Sequence, residues 1–134
     1  MAPKCFFEVG AEKMVNGLDS TFLKIERNHR RLRFSSSNET YFSGFCVTYL
    51  QMQIAYQLGF KVLNLIGCDH SRGHFVSENE YHGGKPHNNQ RLKRSRDFIG
   101  FGVDWLKNKG VKVLDYTLNG NLKVVPKRDF SLIN

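Results

Sequence analysis

The chain has 134 residues, of which 40% are hydrophobic, and 20 Lys and Arg against 12 Asp and Glu leave a formal net charge of +8. That is the size of one domain able to bury roughly two thirds of its unfolded surface, and no apolar run approaches the roughly 20 residues of a helical bilayer span. The charge calls for an anionic partner, and nucleic acid, a nucleotide phosphate, an acidic sugar or a membrane surface would each satisfy it. Only residues 5–9 are apolar near the start, too short for a signal-peptide core, so a cytoplasmic protein is expected. The three cysteines lack a CxxC pair and read as reduced thiols.

In chain order, residues 1–42 read as a strand-rich opening segment, with short candidates at 5–9, 22–25 and 32–34. Arg27, His29, Arg30, Arg31 and Arg33 could bind phosphate, and a solvated basic face explains the same run.

Residues 43–70, SGFCVTYLQMQIAYQLGFKVLNLIGCDH, read as helix, turn and strand. Between 46 and 58 there is no Pro or Gly, and Val47, Leu50, Ile54 and Leu58 recur at helical spacing, widened by Met52, Ala55 and Tyr56. Gly59 stands where a left-handed cap is wanted. The apolar run 62–67 has the pattern of a parallel strand covered on both faces. A helix of thirteen residues at about 1.5 Å each and a strand of six at about 3.3 Å each both span roughly 20 Å, so the helix start and strand end are expected on one sheet edge. In open α/β sheets the carboxyl edge is where ligands bind. The candidate ligand residues there are Ser43, Gly44, Thr48, Asp69, His70 and Ser71, next to helical N–H groups that carry partial positive charge.

Residues 71–89 show no hydrophobic periodicity and contain His74, His82 and His87, which suggests a lid over that edge. His82 or His87 is the candidate general base or acid, against the alternative of solvated loop histidines. Residues 90–109 return to helical order, with Leu92, Phe98, Ile99, Val103, Trp105 and Leu106 on one face, and Gly110 caps them. Arg91, Lys93, Arg94 and Arg96 crowd the first half of that helix, where the dipole disfavours cations and a bound anion would relieve the cost. Residues 111–116 read as the next parallel strand, with Thr117 at its site end, and Asn119-Gly120 predicts a hairpin to an antiparallel edge strand at 122–125.

The fold class is therefore α/β, a small, mostly parallel sheet flanked by helices in a single domain, with residues 43–134 as its main body. Cys68, Asp69, His70 and His74 are metal-ligand types without a recognised zinc spacing, so no metal is expected. No P-loop, GxGxxG or GxSxG occurs.

At VTYLQMQIAYQLGFKVLNLIGCDHS the chain resembles a family of Rossmann-like domains that includes the motility accessory factors, taken to be flagellin glycosyltransferases, and the archaeal 6-hydroxymethylpterin diphosphokinase. Val47, Thr48, Ala55, Leu58, Gly59, Phe60, Leu65, Ile66, Gly67, Asp69 and His70 stand in the places of the family pattern, and GVKVLDYTLNGNLKVVPKRDF resembles its closing segment. The likeness covers most of residues 45–130. More distantly the unit is similar to the bacterial sialyltransferases of glycosyltransferase family forty-two. There the Ser-Gly lies four residues from Ser43-Gly44 in an ungapped alignment, the phosphate-contacting tyrosine corresponds to Ser71, and the catalytic histidine has an Ile-Gly-His context absent here. The family's first strand and Gly-rich turn have no match in residues 1–40, which leaves three expectations: a piece of a longer enzyme, a site shared with another chain, or a relative without activity.

The resemblance implies a glycosyltransferase-like domain of the sialyltransferase type. Its expected partners are a nucleotide-sugar donor and a glycan acceptor rather than nucleic acid, with homo-oligomerisation open and no metal or other cofactor needed. Asp69 and residues 43–48 would hold the donor, His82 or His87 would act as base, and Lys93, Arg94 and Arg96 would offset the donor phosphate. The alternatives are a non-catalytic nucleotide- or glycan-binding module and an ATP-dependent diphosphotransferase, which would need Mg²⁺ and has Asp69 and Asp115 as its only candidate carboxylates.

Overall fold

The structure is a computed structural model that describes residues 5–8, 20–27, 31–37, 39–68, 70 and 89–129. Within them lie six short strands and two helices: β1 (Cys5–Glu8), β2 (Ser20–Leu23), β3 (Ile25–Glu26), β4 (Tyr41–Phe42), α1 (Val47–Gln57), β5 (Val62–Leu65), α2 (Asn89–Asn108) and β6 (Lys112–Asp115). The strands pair in parallel, β1 with β2, β3 with β4 and β5 with β6, as in a small α/β fold. Leu63 stands opposite Val113 and Leu65 opposite Asp115, with α2 as the crossover between β5 and β6. Among the described residues no helix is long and apolar enough to cross a membrane.

Both helices end at the glycine that local chemistry demands. Gly59 and Gly110 have φ of 86° and 74°. The Phe60 N–H donates to the Ala55 carbonyl and Gly59 N–H to Tyr56, a pairing repeated by Val111 to Leu106 and Gly110 to Lys107. These are Schellman caps, which satisfy carbonyls that a helix end otherwise leaves open.

The core lies between the helices and the β5–β6 pair. Tyr49 and Met52 of α1 meet Phe98, Ile99, Val103 and Leu106 of α2, joined by Phe34, Leu63, Val113, Leu122 and Val125. The helices come so close at Gly102 that a Cβ there would stand 2.8 Å from the Tyr49 ring. Trp105 stacks on Phe34 at 4.5 Å between centroids and meets Tyr56 edge-on at 4.9 Å.

Four expectations from the sequence require correction. The face of α1 turned inward is Tyr49, Met52 and Gln53, whereas Val47 and Leu58 are 67% and 56% exposed. The cause is Gln53, fully buried because its side chain is fully used. Its Oε1 accepts the N–H groups of Ser35 and Phe42, and its Nε2 donates to the carbonyls of Phe42 and Tyr49. The Tyr49 hydroxyl adds a bond to the Arg33 carbonyl. Two polar side chains on the inward face thus bind backbone groups at residues 33, 35 and 42, those of Phe42 lying beside the β3–β4 ladder hydrogen bonds of Tyr41 and Ser43.

The run 62–67 is not covered on both faces by the described residues: Leu63 is buried, but Val62 and Ile66 are 52% and 62% exposed. Both helices contribute to the core on the Leu63 side. Residues 32–34 form no strand, because Phe34 is drawn into the core and Tyr41–Phe42 takes the place beside β3. The hairpin after β6 is absent too. Asn119 has φ 56° but Gly120 is not left-handed, and a two-residue hairpin of this kind needs both. Leu122 and Val125 turn into the core instead, and the chain returns parallel to β6, bridging Asp115 with Lys127.

Candidate functional site

Two residues with left-handed backbone introduce α1. Gly44 and Phe45 have φ of 55° and 61°. A Cβ on Gly44 would fall 2.2 Å from the Tyr49 ring, so only glycine fits. The pair turns the chain from β4 into the helix, and Cys46 becomes the N-cap in extended conformation. Cys46 makes no capping hydrogen bond through its side chain, and no acidic residue occupies the first turn. The helix start therefore has neither a capping side chain nor a carboxylate of its own to offset the partial positive charge of its N–H groups.

Burial pushes the Cys46 thiol up to about 11, and the neighbouring Cys68 adds to that, against the opposing pull of the Tyr49 and Thr48 N–H groups. The group is thus a neutral thiol near pH 7, unsuited to act as a nucleophile.

Opposite this start stand the ends of β5 and β6. Thr48 Oγ1 lies 3.6 Å from Cys68 Sγ, and the Cys68 N–H donates to Thr117 Oγ1 at 2.9 Å. His70, with φ 48°, is held from α2: Arg96 Nη2 donates to its carbonyl at 2.9 Å, and Ser95 Oγ lies 3.4 Å from its Nδ1. The Arg96 Nε is buried without a hydrogen-bond partner. Beneath the edge, the fully buried Asp115 accepts from Lys127 Nζ and from the Thr117 N–H. Burial by itself would raise its pKa, but these donors hold it below the ordinary carboxylate value.

On the other side of the α1 start, Ile25, Arg27, Ser43, Phe45, Cys46, Val47 and Leu50 line a groove of about 440 Å³. That size is within the range of small-molecule sites. Ser43 ties its rim together by donating to the Arg27 carbonyl.

The candidate residues therefore divide as follows. Ser43, Gly44 and Thr48 sit at the α1 start, and His70, Arg96 and Thr117 are gathered at the strand ends. Lys93 and Arg94 are exposed on α2, and the Arg94 guanidinium stands 5.6 Å from the centre of the Phe45 ring. Asp69, Ser71, His82 and His87 lie outside the described residues. Ser95 and Lys127 join the edge without having been singled out, as does Cys68, which the sequence marked only as a metal-ligand type. Ser95 sat in sight inside the basic half of α2, but Lys127 carried no signal, since its place depends on the parallel return of the tail. Asp115 is already engaged by Lys127, which removes it as a free carboxylate. Among the described residues no three His, Cys, Asp or Glu side chains stand together as a metal site.

Compared with protein-family models, curated proteins and solved structures, the chain has no match.

Proposed function

We propose that this domain binds a nucleotide-activated acidic sugar through its phosphate at the shared edge of α1, β5 and β6, as a glycosyltransferase-like domain of the sialyltransferase type. The observation that supports this most is the convergence of an uncapped helix start, a left-handed strand end and a half-buried arginine. Thr48, His70, Arg96 and Thr117 come from four separate stretches of sequence; Thr48 and Thr117 both contact Cys68, at 3.6 and 2.9 Å, and Arg96 holds the His70 carbonyl at 2.9 Å. Donors of this kind suit a phosphate, which accepts from helix N–H groups and guanidinium together. In this reading Asp69 holds the donor, and His82 or His87 takes the proton from the acceptor hydroxyl as the nucleotide leaves with its phosphate.

The test is thermal stabilisation by cytidine monophosphate, cytidine diphosphate, uridine diphosphate and ATP, each with and without Mg²⁺. A ligand at 100 times its dissociation constant adds about 2.7 kcal/mol. The expected result is a metal-independent response to cytidine monophosphate that is lost in Asp69→Ala and in Arg96→Gln. Failure of every nucleotide would overturn the reading, and a response to ATP alone that needs Mg²⁺ would replace it with diphosphoryl transfer. If a nucleotide binds but no sugar transfer is detected, and His82→Ala and His87→Ala both leave binding unchanged, the domain is a binding module.

A further inference from the structure

We propose that the outer face of α1 is the contact of a two-fold symmetric homodimer in which the two copies of α1 lie antiparallel. Val47, Leu50, Ile54 and Leu58 form a stripe at spacings of three and four residues, on the side away from Tyr49, Met52 and Gln53. Val47 and Leu58, at its two ends, are 67% and 56% exposed, and Leu50 and Ile54 between them are half-buried. A regular apolar stripe that the fold turns away from its own core is an interaction surface, not the scattered exposure of an ordinary surface.

The occupant follows from charge and from symmetry. The chain carries a net charge of +8, yet residues 46–58 contain no charged side chain. An anionic partner would find its counter-charges elsewhere on the molecule, whereas a second copy meets no like charge from these residues. The stripe is not itself palindromic, but its end residues Val47 and Leu58 lie at equal distances from a midpoint between Met52 and Gln53. Set antiparallel on itself, it places Val47 against Leu58 and brings Ile54 beside the Leu50–Gln51 turn of the second copy. Such self-matching is what an isologous contact requires.

The size sets the strength. Specific association asks for on the order of 1,000 Å² in total, or about 500 Å² from each copy. Val47, Leu58 and the adjoining Phe60, itself 56% exposed, each offer roughly 100 Å². With Leu50, Ile54 and the flanking Gln51 and Gln57 the face reaches that lower bound and little more. The dimer is therefore weak, with a dissociation constant on the order of micromolar.

Sedimentation of the full chain across roughly 1 to 300 μM tests this, because the expected constant lies inside that span. The wild type should pass from monomer to dimer, and Val47→Glu and Leu58→Lys should each remain monomeric with unchanged circular dichroism. Mixing the two variants should restore a dimer, since the introduced carboxylate then faces the introduced ammonium while the second Val47–Leu58 pair is native. A wild type monomeric throughout overturns the proposal by itself, whatever the variants do. Variants that still dimerise move the interface elsewhere, with the exposed Val62 and Ile66 of β5 the next place to probe, and a mixture that stays monomeric rejects the antiparallel arrangement.

Discussion

Asp115 combines complete burial with charge, and its two donors decide its behaviour with pH. Its folded pKa lies below the unfolded value of about 3.9, so the stabilisation it provides is fully present above that value. It is lost as pH falls through the folded pKa. Urea unfolding between about pH 5 and pH 2 should therefore show a steeper loss for the wild type than for Asp115→Asn. Lys127→Met should cost roughly 1 to 2 kcal/mol, less than a dry pair, because Lys127 is 40% exposed and water screens it. Gly44→Ala tests the start of α1. Its left-handed φ and the 2.2 Å approach to the Tyr49 ring should together destabilise the fold by about 3 kcal/mol in the same unfolding measurement. Alkylation of Cys46, followed by mass spectrometry of its peptide, should be slow at pH 8 and rise only as pH approaches its raised pKa of about 11.

At the scale of elements, α1 is a clamp as much as a packing surface. Gln53 holds the backbone of Ser35 and Phe42 against the helix, and Gln57 adds a bond to the Ser35 carbonyl. Gln53→Leu would keep the volume and leave those groups buried without partners, so it should cost about 3 kcal/mol by denaturant titration although leucine is the more hydrophobic residue. A gain in stability would show that water reaches Ser35 and Phe42 in the variant. This residue also explains how far the sequence was readable. The ends of α1 and α2 followed from Gly59 and Gly110, whose φ values answer only to neighbouring backbone. Which side of α1 points inward did not follow, since the apolar stripe Val47, Leu50, Ile54 and Leu58 had the better pattern. A buried glutamine is favoured only when Ser35 and Phe42 supply three of its four partners, the fourth being the Tyr49 carbonyl, and no periodicity records that.

For the whole molecule the dominant fact is a net charge of +8 carried by a chain whose α1 is uncharged. Salt should therefore act in opposite directions on the two proposals. Between roughly 0.05 and 0.5 M salt, nucleotide binding should weaken as the phosphate attraction is screened, while self-association should strengthen as repulsion between copies is screened. Calorimetric titration and sedimentation over the same salt series check both. The sequence by itself determined α1, β5, α2 and β6 in their order, the glycines that end the helices, and the meeting of the α1 start with the end of β5. Each of these rests on local conformation, hydrophobic run length or the reach of the chain. Only the tertiary structure decided that Gln53 is inside and Val47 outside, that Leu122 and Val125 draw the tail into a parallel return, and that Lys127 neutralises Asp115. Those outcomes depend on hydrogen-bond and charge partners 10 or more residues away, and a buried polar group takes the place where its partners are.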